Sequence, residues 1–269
     1  MDESKPLAIS SQDLYAAIGT VATPVVIDVR RSAAFAADNR MIVGAIRRNP
    51  DDVQNWRQEL PSGGAVVVYC VHGHEASREA VSALRGAGVN ASYLAHGIAG
   101  WAEQRLPMRG KSDTEPRSWV THERPKIDRI ACPWLIRRFI DPEAGFLFVP
   151  TERVFAVAAE TGATAYDVPG AEPFSHGGEL CSFDAFLKVY GIEDRALDTL
   201  ALIVRGADTA RLELTPQSPG LLAVSLGLSA NFPDDHTMLE HGMVMYDALY
   251  AWCRSLQGET HNWTPRASA

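Results

Sequence analysis

Two short apolar runs constrain the first part of this 269-residue chain more than any other feature. Pro24–Val29 (PVVIDV) and Ala65–Tyr69 (AVVVY) do not alternate apolar with polar positions. Each is strand-sized and rich in β-branched residues, which is the pattern of a strand covered on both faces. Helical patterns separate them. Ser11–Ile18 has a Ser/Asp start with Leu14, Ala17 and Ile18 on one side, and Ala76–Ala87 sets Ala80, Val81, Leu84 and Ala87 on one stripe. A further short strand at Ser92–Leu94 leads into a last helix after His96. This alternation predicts a parallel sheet with helices packed on it. Ligands of such sheets sit beyond the carboxyl ends of the strands, which is where Cys70 falls.

Composition narrows the function classes. With 46% hydrophobic and 22% charged residues the chain can bury a sizeable core. A net charge of −8 argues against wrapping a nucleic acid, so no nucleic-acid partner is expected. The longest apolar runs are strand-sized, far short of the roughly 20 residues of a membrane span. Met1–Lys5 lacks the basic-then-apolar pattern of an export signal, and a cytoplasmic location is expected. The four cysteines (Cys70, Cys132, Cys181 and Cys253) contain no C-x-x-C pair, which suits neither a disulfide framework nor a cysteine zinc knot. They are expected to be reduced thiols.

The stretch from Arg105 to Lys126 is rich in charge, Pro and Ser and reads as a linker. A boundary near Ser112 divides the chain into domains at 1–112 and 113–269. The second is expected to be mostly helical α+β. Strands are predicted at Trp119–Thr121, Phe146–Val149 and Ala165–Val168. Helices are predicted at Trp134–Ile140, Val154–Thr161, Phe183–Tyr190, Ala196–Ala207, Gly220–Gly227 and Thr237–Leu256. Pro133 lacks a backbone N–H and is assigned to the first turn of its helix.

Cys70 opens a loop (Val71, His72, Gly73, His74, Glu75, Ala76) between a buried strand and a helix start. The first amides of a helix are unpaired and carry the positive end of its dipole, and Gly73 lets the loop curl so that more amides point inward. A thiol held there has its thiolate stabilised. The Cys70 loop, Val26–Arg30 with its Asp-x-Arg end, and the His96–Trp101 glycine-aromatic segment together resemble the rhodanese (sulfurtransferase) family over about residues 7–108. The resemblance implies an α/β rhodanese-like parallel-sheet domain. Cys70 would form a persulfide, the loop from Val71 to Ala76 would bind the substrate, a sulfane-sulfur donor would supply the atom and a thiol acceptor would remove it. Related tyrosine-phosphatase-like folds need an Arg six positions after the cysteine, where this chain has Ala76, so phosphatase activity is not expected. His72, His74 and Glu75 stand where thiosulfate-using members are more basic, which makes reactivity sensitive to pH near neutrality.

In the second part His236 and Glu240 share one face of a helix beginning near Asp235, and His176 and Glu179 are three residues apart. Together they form a candidate set for a single metal ion (iron, manganese or zinc), with Asp208 as a fifth candidate. The same residues also read as helix caps and an exposed helix face. Lys126–Asp141, His176–Cys181, Arg205–Asp208, Pro233–His236 and Tyr246–Trp252 resemble the C-terminal domain of the chromate-resistance ChrB family over about residues 117–256. The resemblance implies a role in chromate or oxidative stress and raises the expectation of a metal or oxyanion site. Asp128 and Arg129 read either as proton carrier and anion clamp or as helix-start cap and salt-bridge partner. Cys132 and Cys181 read either as redox thiols or as small buried hydrophobes. The expected function is a sulfurtransferase coupled to a metal-binding resistance domain. Two other readings stay open: a chromate-responsive regulator, and a metal-dependent redox enzyme that uses its rhodanese-like part for docking.

Overall fold

The strands that form the first sheet are those whose residues have no polar face to offer water. In the computed structural model, which describes residues 7–61, 63–111 and 116–259, Val26, Ile27, Val66, Val67 and Val68 are all buried. The first part runs β1 (Ala8–Ile9), α1 (Ser11–Ala17), β2 (Val25–Asp28), α2 (Ser32–Ala37), β3 (Arg40–Ile42), β4 (Ala45–Arg47), α3 (Val53–Trp56), β5 (Val66–Tyr69), α4 (Glu75–Gly86), β6 (Ala91–Leu94), α5 (Gly97–Glu103) and β7 (Met108–Gly110). Five strands form one sheet in the order β1-β6-β5-β2-β4, every pair parallel, with β5 central. Cys70 therefore leaves the middle of the sheet at a carboxyl end, as the strand pattern predicts. The boundary near Ser112 lies outside the described residues.

The second part runs β8 (Ser118–His122), α6 (Asp128–Leu135), β9 (Gly145–Val149), α7 (Val154–Thr161), β10 (Thr164–Ala165), α8 (Ser182–Tyr190), α9 (Arg195–Asp208), α10 (Ser218–Asn231) and α11 (Asp235–Ala251). A small parallel sheet, β10-β8-β9, sits among the helices, so this part is the mostly helical α+β unit expected. Two expectations are corrected. Pro133 lies in the interior of α6, which starts five residues before it, and a π-helical turn at Ile136–Ile140 follows. Every residue from Ile130 to Leu135 is buried, so tertiary packing outweighs the backbone bond that proline cannot donate. The strand predicted through Val168 stops at Ala165, because Asp167 turns the chain with φ of 51°.

The two parts share one apolar core. Leu14, Ile18, Val26, Tyr69 and Trp101 from the first join Trp134, Phe139, Tyr246 and Tyr250 from the second in a single cluster of buried side chains. Polar contacts close the seam. The Tyr15 hydroxyl donates to Asp194 Oδ2 at 2.6 Å, and the Gly44 amide donates to the Phe139 carbonyl at 2.7 Å. Arg254, in the π-helical turn after α11, donates to the carbonyls of Tyr15, Ala16 and Ile18 at 2.6, 2.6 and 3.1 Å. These carbonyls end α1 and have no intrahelical partner, so a cation is favourable there.

Candidate functional site

The Cys70 loop is held from behind by a second helix start. The amides of Ile98 and Ala99, at the beginning of α5, donate to the carbonyls of Cys70 and Val71 at 3.0 Å each. With those carbonyls turned outward, the loop amides face the sulfur. Gly97 (φ 57°) must be glycine for this approach, since a Cβ would lie 2.4 Å from the Cys70 carbonyl oxygen. Gly73 (φ 72°) is similarly confined, since a Cβ there would lie 2.5 Å from the Leu94 carbonyl oxygen.

Burial pushes the Cys70 thiol up, but the Ser77 hydroxyl and the amides of His74, Ser77 and His72 outweigh it, and the pKa falls below the ordinary cysteine value. The hydroxyl oxygen of Ser77 is 3.2 Å from Sγ. Of the residues predicted to bind substrate, Val71, His72, Gly73 and His74 form the loop, while Glu75 and Ala76 already belong to α4. Glu75 points outward to Arg31, with 3.3 Å between the charges. Ser77 is the member that sequence reasoning missed. It sits at the third position of α4, where both its amide and its side chain face back toward the loop, and a helix start at Glu75 would have indicated it. Arg78 is turned away: it donates to the Gly73 carbonyl at 3.0 Å and stacks on Tyr93. His72, His74, His96 and Glu103 line a hollow of about 200 Å³ beside the loop.

Asp28 and Arg30 support the sheet. Both are buried, Arg30 forks onto the Asp28 carboxylate at 2.7 to 3.1 Å, and the Tyr69 hydroxyl donates to Asp28 at 3.0 Å. The pair lies one strand away from Cys70 and acts on β2 and β5.

A second cluster forms where three helix ends and one loop meet. Asp128 is the first residue of α6, Ser182 opens α8, Asp208 closes α9, and Asp167 and His176 come from the loop after β10. His176 Nε2 lies 3.1 Å from Asp208 Oδ2, 3.2 Å from Asp167 Oδ1 and 3.6 Å from Asp128 Oδ2. The Ser182 amide donates to Asp128 Oδ2 at 2.7 Å, and its hydroxyl to Asp167 Oδ1 at 2.5 Å. Arg129 pairs with Asp167 at 3.2 Å. The Asp167 and Asp208 carboxylates push His176 up to about 10, and burial with the neighbouring carboxylates pushes Asp128 well above the usual range. Backbone strain marks the same place, with Ile127 at φ 39° and Asp167 at φ 51°. An open cleft of about 440 Å³ adjoins the cluster, lined by His122, Arg129, Thr151 and Glu172 among others.

The donor set expected for a metal is corrected here. His176 is in the cluster, and the fifth candidate, Asp208, joins it. Glu179 is exposed and pairs with Arg211 at 3.3 Å. The face that His236 and Glu240 share meets Phe148 and Arg137 instead: the His236 ring stands 5.4 Å from Phe148, and Glu240 pairs with Arg137 at 2.8 Å. Helical spacing put two donors on one face, but that face is turned to β9 and the π-helical turn after α6. Asp167 was hidden inside a predicted strand, although a carboxylate in an apolar run is itself a signal. Asp128 caps the start of α8 rather than its own helix. Cys132 and Cys181 are fully buried and burial pushes both thiols up, as befits small core residues.

A parallel sheet with a cysteine cradled by amides at the end of its central strand defines a rhodanese-like domain, and residues 10–104 match the family described as Rhodanese-like domain. That domain fits the sulfurtransferase superfamily. Residues 119–253, half of the chain, match the family described as ChrB, C-terminal domain, and the chain belongs to that family. It is 34% identical over 156 residues to Protein ChrB of Cupriavidus metallidurans, a match covering 58% of this chain and 45% of that protein. The chain thus spans less than half the length of this relative. Among solved structures, a full-length protein from Lactobacillus plantarum is 29% identical, covering 39% of this chain and 88% of its own, with a TM-score of 0.37. A rhodanese-related protein from Thermoplasma volcanium is 26% identical, covering 38% and 97%, with a TM-score of 0.34. Among the described residues no helix is long and apolar enough to cross a membrane.

Proposed function

We propose that the protein is a persulfide-forming sulfurtransferase in which Cys70 carries the sulfur. The observation that supports this best is the cradle around Sγ: three amides and the Ser77 hydroxyl lower the thiol pKa despite burial. A thiolate there attacks the outer sulfur of a sulfane-sulfur donor. The Cys70 Sγ–S bond forms as the donor S–S bond breaks, and the donor leaves as an anion with the bonding pair. The amides that stabilised the thiolate then stabilise the terminal persulfide sulfur. An acceptor thiolate attacks that outer sulfur, and Cys70 departs as thiolate. The reduced thiol this requires belongs with the cytoplasmic setting expected from the sequence. A rhodanese-like domain joined to a ChrB C-terminal domain supports a chromate-resistance-associated protein, and sulfur transfer is the activity we assign within that role.

Incubation of the full chain with thiosulfate, and separately with a low-molecular-weight persulfide, followed by intact-mass analysis tests the assignment. The expected result is a gain of one sulfur atom that is removed by cyanide and absent from Cys70→Ser. If the wild type gains no sulfur from either donor while Cys70 still reacts with an alkylating agent, the assignment is wrong, and the rhodanese-like part is a docking module.

A further inference from the structure

We propose that the second domain holds one divalent first-row metal ion (of the manganese, iron or zinc type) on Asp128, Asp167, His176 and Asp208. The site is independent of the sulfur chemistry at Cys70. One donor atom from each of Asp128, Asp167 and His176 lies within 4.8 Å of the others, close enough to surround a single ion after small rotamer shifts. Asp208 Oδ2 stands 3.1 Å from the same imidazole nitrogen.

Three features make this more than a group of acidic residues. Asp128 is fully buried, yet its Oδ1 accepts no hydrogen bond among the described residues. Leaving a buried carboxylate oxygen without a partner is costly, and a cation supplies what the surrounding groups do not. Charge gives the second argument. Three carboxylates crowd one imidazole nitrogen with a single guanidinium, that of Arg129, beside them. A divalent ion takes the place of the protons such a crowded group shares, and the imidazole released from its proton becomes the nitrogen ligand. Third, the carboxylates are already oriented by other groups: Ser182 fixes Asp128 through its amide and Asp167 through its hydroxyl, and Arg129 holds the other oxygen of Asp167. Such outer contacts orient ligands in metal sites. Three carboxylates with one imidazole form an N/O donor set suited to manganese, iron or zinc, and the adjoining cleft leaves a side open for water or an oxyanion.

The test uses the full-length protein, stripped with a chelator and titrated calorimetrically with Mn²⁺ and, separately, with Zn²⁺. We expect one ion bound per chain. Asp208→Asn and His176→Ala should each weaken it by at least roughly tenfold, while His236→Ala and Glu240→Gln bind as wild type does. His176 is partly exposed, so its variant should keep the wild-type circular dichroism, and a loss of binding then reports the site rather than the fold. The proposal is overturned if the wild type binds neither ion, or if both Asp208→Asn and His176→Ala bind with unchanged affinity.

Discussion

At Cys70 two opposing effects decide the reactivity. Burial favours the neutral thiol, and the hydroxyl and amides at the start of α4 favour the anion; the anion wins. The alkylation rate of Cys70 should therefore rise with pH through a midpoint below that of an ordinary thiol. Ser77→Ala removes one bond to a charged atom and should move that midpoint upward by about one pH unit, read from iodoacetamide rates by mass spectrometry. An unmoved midpoint would assign the effect to the amides alone. Asp28 poses a different question, because Arg30 is 1% exposed and has its fork on that carboxylate. Asp28→Ala leaves the buried guanidinium only the longer contact to Asp38, at 3.4 Å, and should cost about 3 kcal/mol in urea unfolding. Both Cys70 and Asp28 were visible in the chain as letters. Ser77 was not singled out, because its role depends on where the helix begins.

Elements were legible where local periodicity and burial agree. The runs at β2 and β5 and the stripe of α4 reappear within a residue or two, while the long pattern expected to Leu256 is α-helical only to Ala251 and finishes as the π-helical turn Trp252–Leu256. The cluster around His176 was only partly legible, since its donors come from three separate segments whose meeting point is set by helix packing rather than by spacing. Pro133 shows the same limit: local chemistry forbids its position, and the packing of Trp134 against Phe139, Tyr246 and Tyr250 imposes it. One helix start carries a particular burden. Asp194 accepts from the amides of Ala196 and Leu197 at 2.8 and 2.9 Å and also from the hydroxyls of Tyr15 and Tyr250. Asp194→Ala should destabilise the protein by about 2 kcal/mol or more, the cap and the buried phenols both losing their acceptor. A change below about half a kcal/mol in chemical denaturation would mean that solvent replaces the carboxylate at no cost.

For the whole molecule the shared core implies a shared fate. Side chains of both parts form one buried cluster, so calorimetry of the full chain should show a single unfolding transition rather than two. Arg254→Ala should lower its midpoint, removing about 1.5–3 kcal/mol of charge-assisted bonding to α1. Two resolved transitions would mean that the seam is a contact between independently stable units. The clasp at Arg254 also bears on the order of events during synthesis. A ribosome delivers α1 long before it delivers the residue that secures its end, so the sheet around Cys70 emerges with an open flank. A nascent chain stalled anywhere short of that arginine would hold the Cys70 strand on an unfinished scaffold, a natural target for chaperones or proteases until the last helix returns to the first.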